Sequence, residues 1–77
     1  MTPIMYFVSD FLHFKENDGW VYKCENRFSS LSAAEKSFHK LIGNNVDDGI
    51  HDVVTVLLTD SLGNTISSYS WIEPTQG

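Results

Sequence analysis

The chain has one cysteine, two prolines and only five lysines and arginines among its 77 residues. Each shortage excludes something. A lone Cys24 rules out an internal disulfide and a cysteine-based zinc site, and it points to a reducing compartment. Five basic residues against ten acidic ones give a net charge of −5 with neutral histidines. Such a chain lacks the cations whose counterion release drives binding to a phosphate backbone, so no direct nucleic-acid binding is expected. The opening MTPIMYFVSDFLHF is apolar but has no basic start, and Asp10 and His13 break it far short of the ~18 residues of a membrane span. A cytoplasmic protein without membrane contact is the expectation. Glycine-rich phosphate loops, catalytic carboxylate pairs and a hydrolase elbow are also missing, so the reading is not an enzyme, with no cofactor and no metal.

What is present describes a fold. Hydrophobic residues make up 42% and aromatics 13%, too apolar for a disordered chain and enough for one small domain over residues 1–77. Residues 4–14 are rich in Ile, Tyr, Phe, Val and Leu and read as a strand apolar on both alternations. KENDGW follows, with Asp18-Gly19 as the hairpin signal. WVYKCENRF then alternates, predicting Trp20, Tyr22, Cys24 and Phe28 on an inward face and Val21, Lys23, Glu25 and Arg27 on the other. In SSLSAAEKSFHKLIGNN, Ser32 and Glu35 have capping-box spacing, Leu31, Ala34, Phe38, Leu41 and Ile42 form a helical stripe, and Gly43 suits a left-handed C-cap. This predicts a helix of roughly ten residues, too short to persist without a sheet beneath it. IHDVVTVLLTD and TISSYSWIE read as two further strands around a DSLGN turn, ended by Pro74. The order is β-β-α-β-β. The predicted class is α+β: a mainly antiparallel four-stranded sheet with one helix on one face.

Candidate sites are few. Asn44, Asn45, Asp47, Asp48 and Asp52 place hard oxygen donors close together, as calcium would need, but their spacing is not that of a calcium loop. Asn, Asp and Gly are also what a helix-to-strand connection prefers, so the loop reads first as structure and second as a binding loop. His13, His39 and His51 lack the i, i+4 spacing of a helical metal site. Cys24, expected to point inward, reads as a small inert hydrophobe. The ten aromatics exceed what one short helix covers. A sheet face left bare in this way predicts a homodimer, formed through that face or an edge strand.

In pattern, MYFVSDF, GWVYK, one capped helix and VTVLLTDSLGNTI resemble the small β-β-α-β-β proteins encoded by bacteriophages and related mobile elements. The resemblance covers nearly the whole chain and rests on no diagnostic motif. It implies a counter-defence factor of the anti-CRISPR or immune-signal-sponge type, acting in the cytoplasm of a host bacterium. The favoured expectation is therefore a stoichiometric inhibitor that binds a host defence protein, with Asp47, Asp48 and Asp52 presenting negative charge to a basic surface. The alternative is a sponge for a nucleotide signal molecule, stacking a base on Trp20, Tyr22 or Trp71 with Arg27, Lys23 and Lys40 near the phosphates. A third reading is a structural or regulatory phage protein that binds another phage protein.

Overall fold

A computed structural model of the chain describes residues 4–74, apart from the side chains of Glu25 and Asn26. Strand β1 (Tyr6–Phe14) turns through Lys15–Gly19 into β2 (Trp20–Phe28). Helix α1 (Leu31–Asn45) leads back along the molecule to β3 (His51–Asp60), and β4 (Thr65–Ile72) completes it. The four strands form one antiparallel sheet in the order β2-β1-β3-β4. The predicted α+β class and β-β-α-β-β order hold. Among the described residues no helix is long and apolar enough to cross a membrane.

Alternation sorts the residues of the sheet between its two faces. Val8 and Leu12 of β1 and Val54, Val56 and Leu58 of β3 point toward α1, which supplies Ala34 and Phe38. These seven side chains are buried and make the core, with Tyr6, Phe28, Leu41, Ile42, Val46 and Trp71 packed around it. Asp10 is also buried on this face, across from Lys23 on β2 and Val56 on β3. Among the described residues no helix or strand lies on the opposite face.

Three local expectations are corrected. The N-cap is Ser30, not Ser32: Ser30 is extended (φ −121, ψ 130), and its hydroxyl accepts from the Ala33 N–H at 3.4 Å. Strand β2 ends at Phe28, so Ser29 and Ser30 suffice as connection and the helix begins at Leu31, two residues earlier than a cap at Ser32 would start it. Gly43 is not the C-cap. The helix runs through it to Asn45 and totals 15 residues. It stops where Val46 turns extended to pack on the core, with the left-handed conformation falling on Asp47 (φ 56).

The third correction is to β2. Phe7 pairs with Arg27 but Ser9 with Cys24, so one extra β2 residue sits between them. This bulge reverses the alternation. Phe28 joins the helix-side core, while Trp20, Tyr22 and Cys24 lie on the uncovered face. Cys24 is exposed, not inward.

Candidate functional site at the acidic end of the sheet

Five elements meet at one end: the C-terminal ends of β1, β4 and α1 and the starts of β2 and β3. Six of the ten acidic residues belong to this end: Glu16, Asp18, Asp47, Asp48, Asp52 and Glu73. The free carbonyls of the α1 C-terminus add a partial negative charge there.

The loop between α1 and β3 is shaped mainly by Asp48. Its Oδ1 accepts from the backbone N–H groups of Ile50 and His51, both at 2.9 Å, and its Oδ2 lies 2.6 Å from His51 Nδ1. Burial is the strongest influence on this carboxyl and raises its pKa. The two backbone N–H groups and the ring together outweigh it, so the net displacement is downward. His51 is buried, its ring 4.6 Å from that of Phe14. Asp48 thus faces inward and closes the loop. Asp47, beside it, is exposed.

A second bulge aims Asp52. His13 pairs with Val53 and Phe14 with His51, which leaves Asp52 as the extra residue of β3. Its carboxylate meets His13 Nδ1 at 2.5 Å, and Asp18 meets Nε2 of the same ring at 2.7 Å. Both ring nitrogens therefore face carboxylates. The bond to Asp52, then the one to Asp18, raises the His13 pKa, and the bond to His13 lowers that of Asp52. The nearby Lys15–Glu73 pair (2.5 Å) raises the lysine's pKa in the same way. The Glu73 N–H donates to the Asp52 carbonyl at 2.8 Å, tying the chain after β4 to the start of β3.

Around these groups opens a cleft of about 750 Å³. Trp71 and Val46 reach it from the helix side and Val53 and Ile72 from the other, with Asp47, Asp52 and Glu73 supplying carboxylates. An aromatic surface bordered by carboxylates suits an organic cation, such as a lysine or arginine side chain of a partner.

Of the residues singled out from sequence, the fold brings Asp47, Asp52 and Trp71 to one cleft. Asp48 is turned away from it into the loop. Trp20 and Tyr22 stand elsewhere, exposed on the uncovered face of β2, while Trp71 belongs to β4 at the other edge and packs toward the core. The three aromatics do not form one site within a chain. Lys23 lies on the helix side and Arg27 on the uncovered face. His13 and Cys24 share a face, but Cys24 is four residues along β2 from Trp20, the partner of His13, or roughly 13 Å at ~3.3 Å per residue. The thiol is beyond hydrogen-bond reach of the imidazole. Among the described residues no three His, Cys, Asp or Glu side chains converge as metal ligands would.

Sequence reasoning passed over Asp18, Lys15 and Glu73 and saw no partner for His13. Asp18 is only five residues from His13, within one hairpin, which is a signal of sorts. The other links span 39 and 58 residues and exist only once β1 pairs with β3 and β3 with β4.

No family model, no curated protein and no solved structure matches the chain. The chemistry of this end has to be read from its own geometry.

Proposed function

We propose that the protein is a non-enzymatic inhibitor that docks its acidic end on a basic surface of a protein partner. The resemblance to phage counter-defence proteins makes a bacterial defence protein, with a surface meant for nucleic acid, the class of partner expected. The observation that carries this reading is the cleft itself, where Asp47, Asp52 and Glu73 border Trp71. Acidic side chains on a small rigid scaffold can occupy a basic groove, and attraction between unlike surfaces speeds the encounter. Lys15 and His13 offset part of the charge, but Asp47 is exposed and Asp18 nearly fully so.

The test uses the protein as bait in a bacterial lysate, beside an Asp47→Asn/Glu73→Gln double variant. Asparagine tolerates the left-handed backbone at position 47. A nucleic-acid-binding protein should be retained by the wild type at low salt, released as screening shortens the Debye length from ~10 Å to ~3 Å, and displaced by added nucleic acid. The double variant should retain little of it. Capture indifferent to salt and to both substitutions would reject the reading. Marked thermal stabilisation by a free nucleotide, with no protein retained, would favour a signal sponge instead.

A further inference from the structure

The uncovered face of the sheet is organised in rows. Trp20, His13, Val53 and Ile72 form one; Tyr22, Phe11, Thr55 and Ser70 the next; then Cys24, Ser9, Leu57 and Ser68. A last row begins with Arg27 and Phe7 and continues through Thr59 and Thr65. Apolar and aromatic side chains gather over β2, β1 and β3, whereas β4 presents mainly hydroxyls. Trp20 is 63% exposed and Tyr22 57%. The aromatics gather toward the β2 edge and the hydroxyls toward β4, an exposed apolar patch with a polar flank such as protein interfaces use.

We infer that this face is covered by a second copy of the chain, with the two sheets packed face to face about a two-fold axis running across the strands. This surface meets the cleft only along Val53 and Ile72, and the inference does not depend on what the cleft binds. Charge selects the occupant and its orientation. The net charge of −5 is concentrated at the acidic end, and the central rows carry no carboxylate among their described residues. Two copies can therefore meet over the middle without bringing like charges together. Arg27 is the one lysine or arginine on the face, at the end opposite Asp18 and Asp52. An axis across the strands exchanges the two ends. It sets Arg27 of each copy over the Trp20 and Asp18 corner of the other, where both an aromatic face and a carboxylate attract a guanidinium. An axis along the strands would instead superpose the two acidic ends.

Size fits a modest dimer. Four strands of about nine residues at ~3.3 Å per residue and ~4.8 Å spacing give a footprint of about 570 Å² per copy. Two copies bury about 1,100 Å², near the lower bound for a specific interface. Pairing through the edges is the weaker competitor, because β2 and β4 each carry a bulge in their ladders, a device that discourages further strand addition.

Sedimentation equilibrium over a range of concentrations tests this, with alkylation of Cys24 as a reporter placed within the face. The wild type should pass from 8.7 kDa to twice that mass in the micromolar range. Alkylation should slow by about tenfold as the dimer fills, once roughly nine chains in ten are paired. Trp20→Ser should remain monomeric with Cys24 fully reactive, and its exposed position leaves folding intact, as an unchanged circular dichroism melt will verify. Arg27→Glu should weaken association by at least about tenfold at low salt, because both symmetry-related guanidinium contacts are lost. A mass fixed at 8.7 kDa would overturn the inference. So would a dimer that survives Trp20→Ser while Cys24 stays open to alkylation, since that describes an edge or helix interface. Association unaffected by Arg27→Glu would overturn the orientation.

Discussion

Replacing Asp48 by alanine separates structure from function in the acidic loop. The carboxylate accepts from two backbone N–H groups and sits against one imidazole nitrogen. Ile50 is exposed, so its N–H can turn to water at little cost. His51 is buried, and its backbone and ring lose partners that water cannot readily replace. At ~1–2 kcal/mol for each of these two groups, the lower part of the range for a buried group left unsatisfied because the loop borders solvent, Asp48→Ala should cost about 2–4 kcal/mol. A 77-residue domain has roughly 4–12 kcal/mol in total, so the variant stays folded but melts about 10–25 °C lower. Asp48→Asn keeps an oxygen for both backbone donors and should fall between. Asp47→Asn should leave the melt unchanged. Thermal unfolding followed by far-ultraviolet circular dichroism measures all three. An Asp48→Ala midpoint equal to that of wild type would mean the loop is not held this way. The pH dependence adds a check. The Asp48 carboxyl titrates below its ordinary 3.8, so the folded state binds that proton less readily than the unfolded state. Its contribution is therefore present above the unfolded value and lost as pH falls through the lower folded one. Asp48→Asn should remove this part of the acid-side slope.

Ser30→Ala should cost about 0.5–1 kcal/mol, the lower part of the capping range because the bond is long, whereas Ser32→Ala should be near neutral in urea denaturation. Gly43→Ala should stabilise by about 0.5–1 kcal/mol, since the position is helical and a Cβ there meets nothing within 4 Å; a loss would restore the left-handed cap. Phe38→Ala should cost roughly 3–5 kcal/mol and leave little cooperative folding, and a sharp melt near that of wild type would show that the ring is not core. His13 is held above its ordinary 6.5 by Asp52 and Asp18, so its contribution is full below that value and disappears as pH rises through the raised folded one. Urea midpoints of wild type should therefore drop across neutral to mildly alkaline pH, and His13→Gln should flatten that drop; parallel profiles would show that the ring is not bridged.

Much of the architecture is determined by the sequence through local rules. Two hairpin signals, one apolar stripe at helical spacing and β-branched runs are properties of short segments, so the β-β-α-β-β order and the α+β class could be read without coordinates. The stripe through Ala34 and Phe38 was legible for the same reason. The two cap positions were not, because they depend on where Phe28 and Val46 are drawn into the core, a tertiary matter. Side-chain direction failed wherever a bulge intervened. The extra residue between Cys24 and Arg27 left Phe28 and Arg27 on their expected faces but reversed those of Trp20, Tyr22 and Cys24, and Asp52 meets His13 because a second bulge turns it there. A bulge is an agreement between two strands, and one strand's residues do not announce it. The acidic end is likewise a product of topology. Asp47, Asp52 and Trp71 stood out in sequence as residues without a common place, and the pairing of β3 with β4 gave them one. Asp48, equal to its neighbours on paper, was taken out of that set by two backbone donors and a buried ring that only the folded chain puts within its reach.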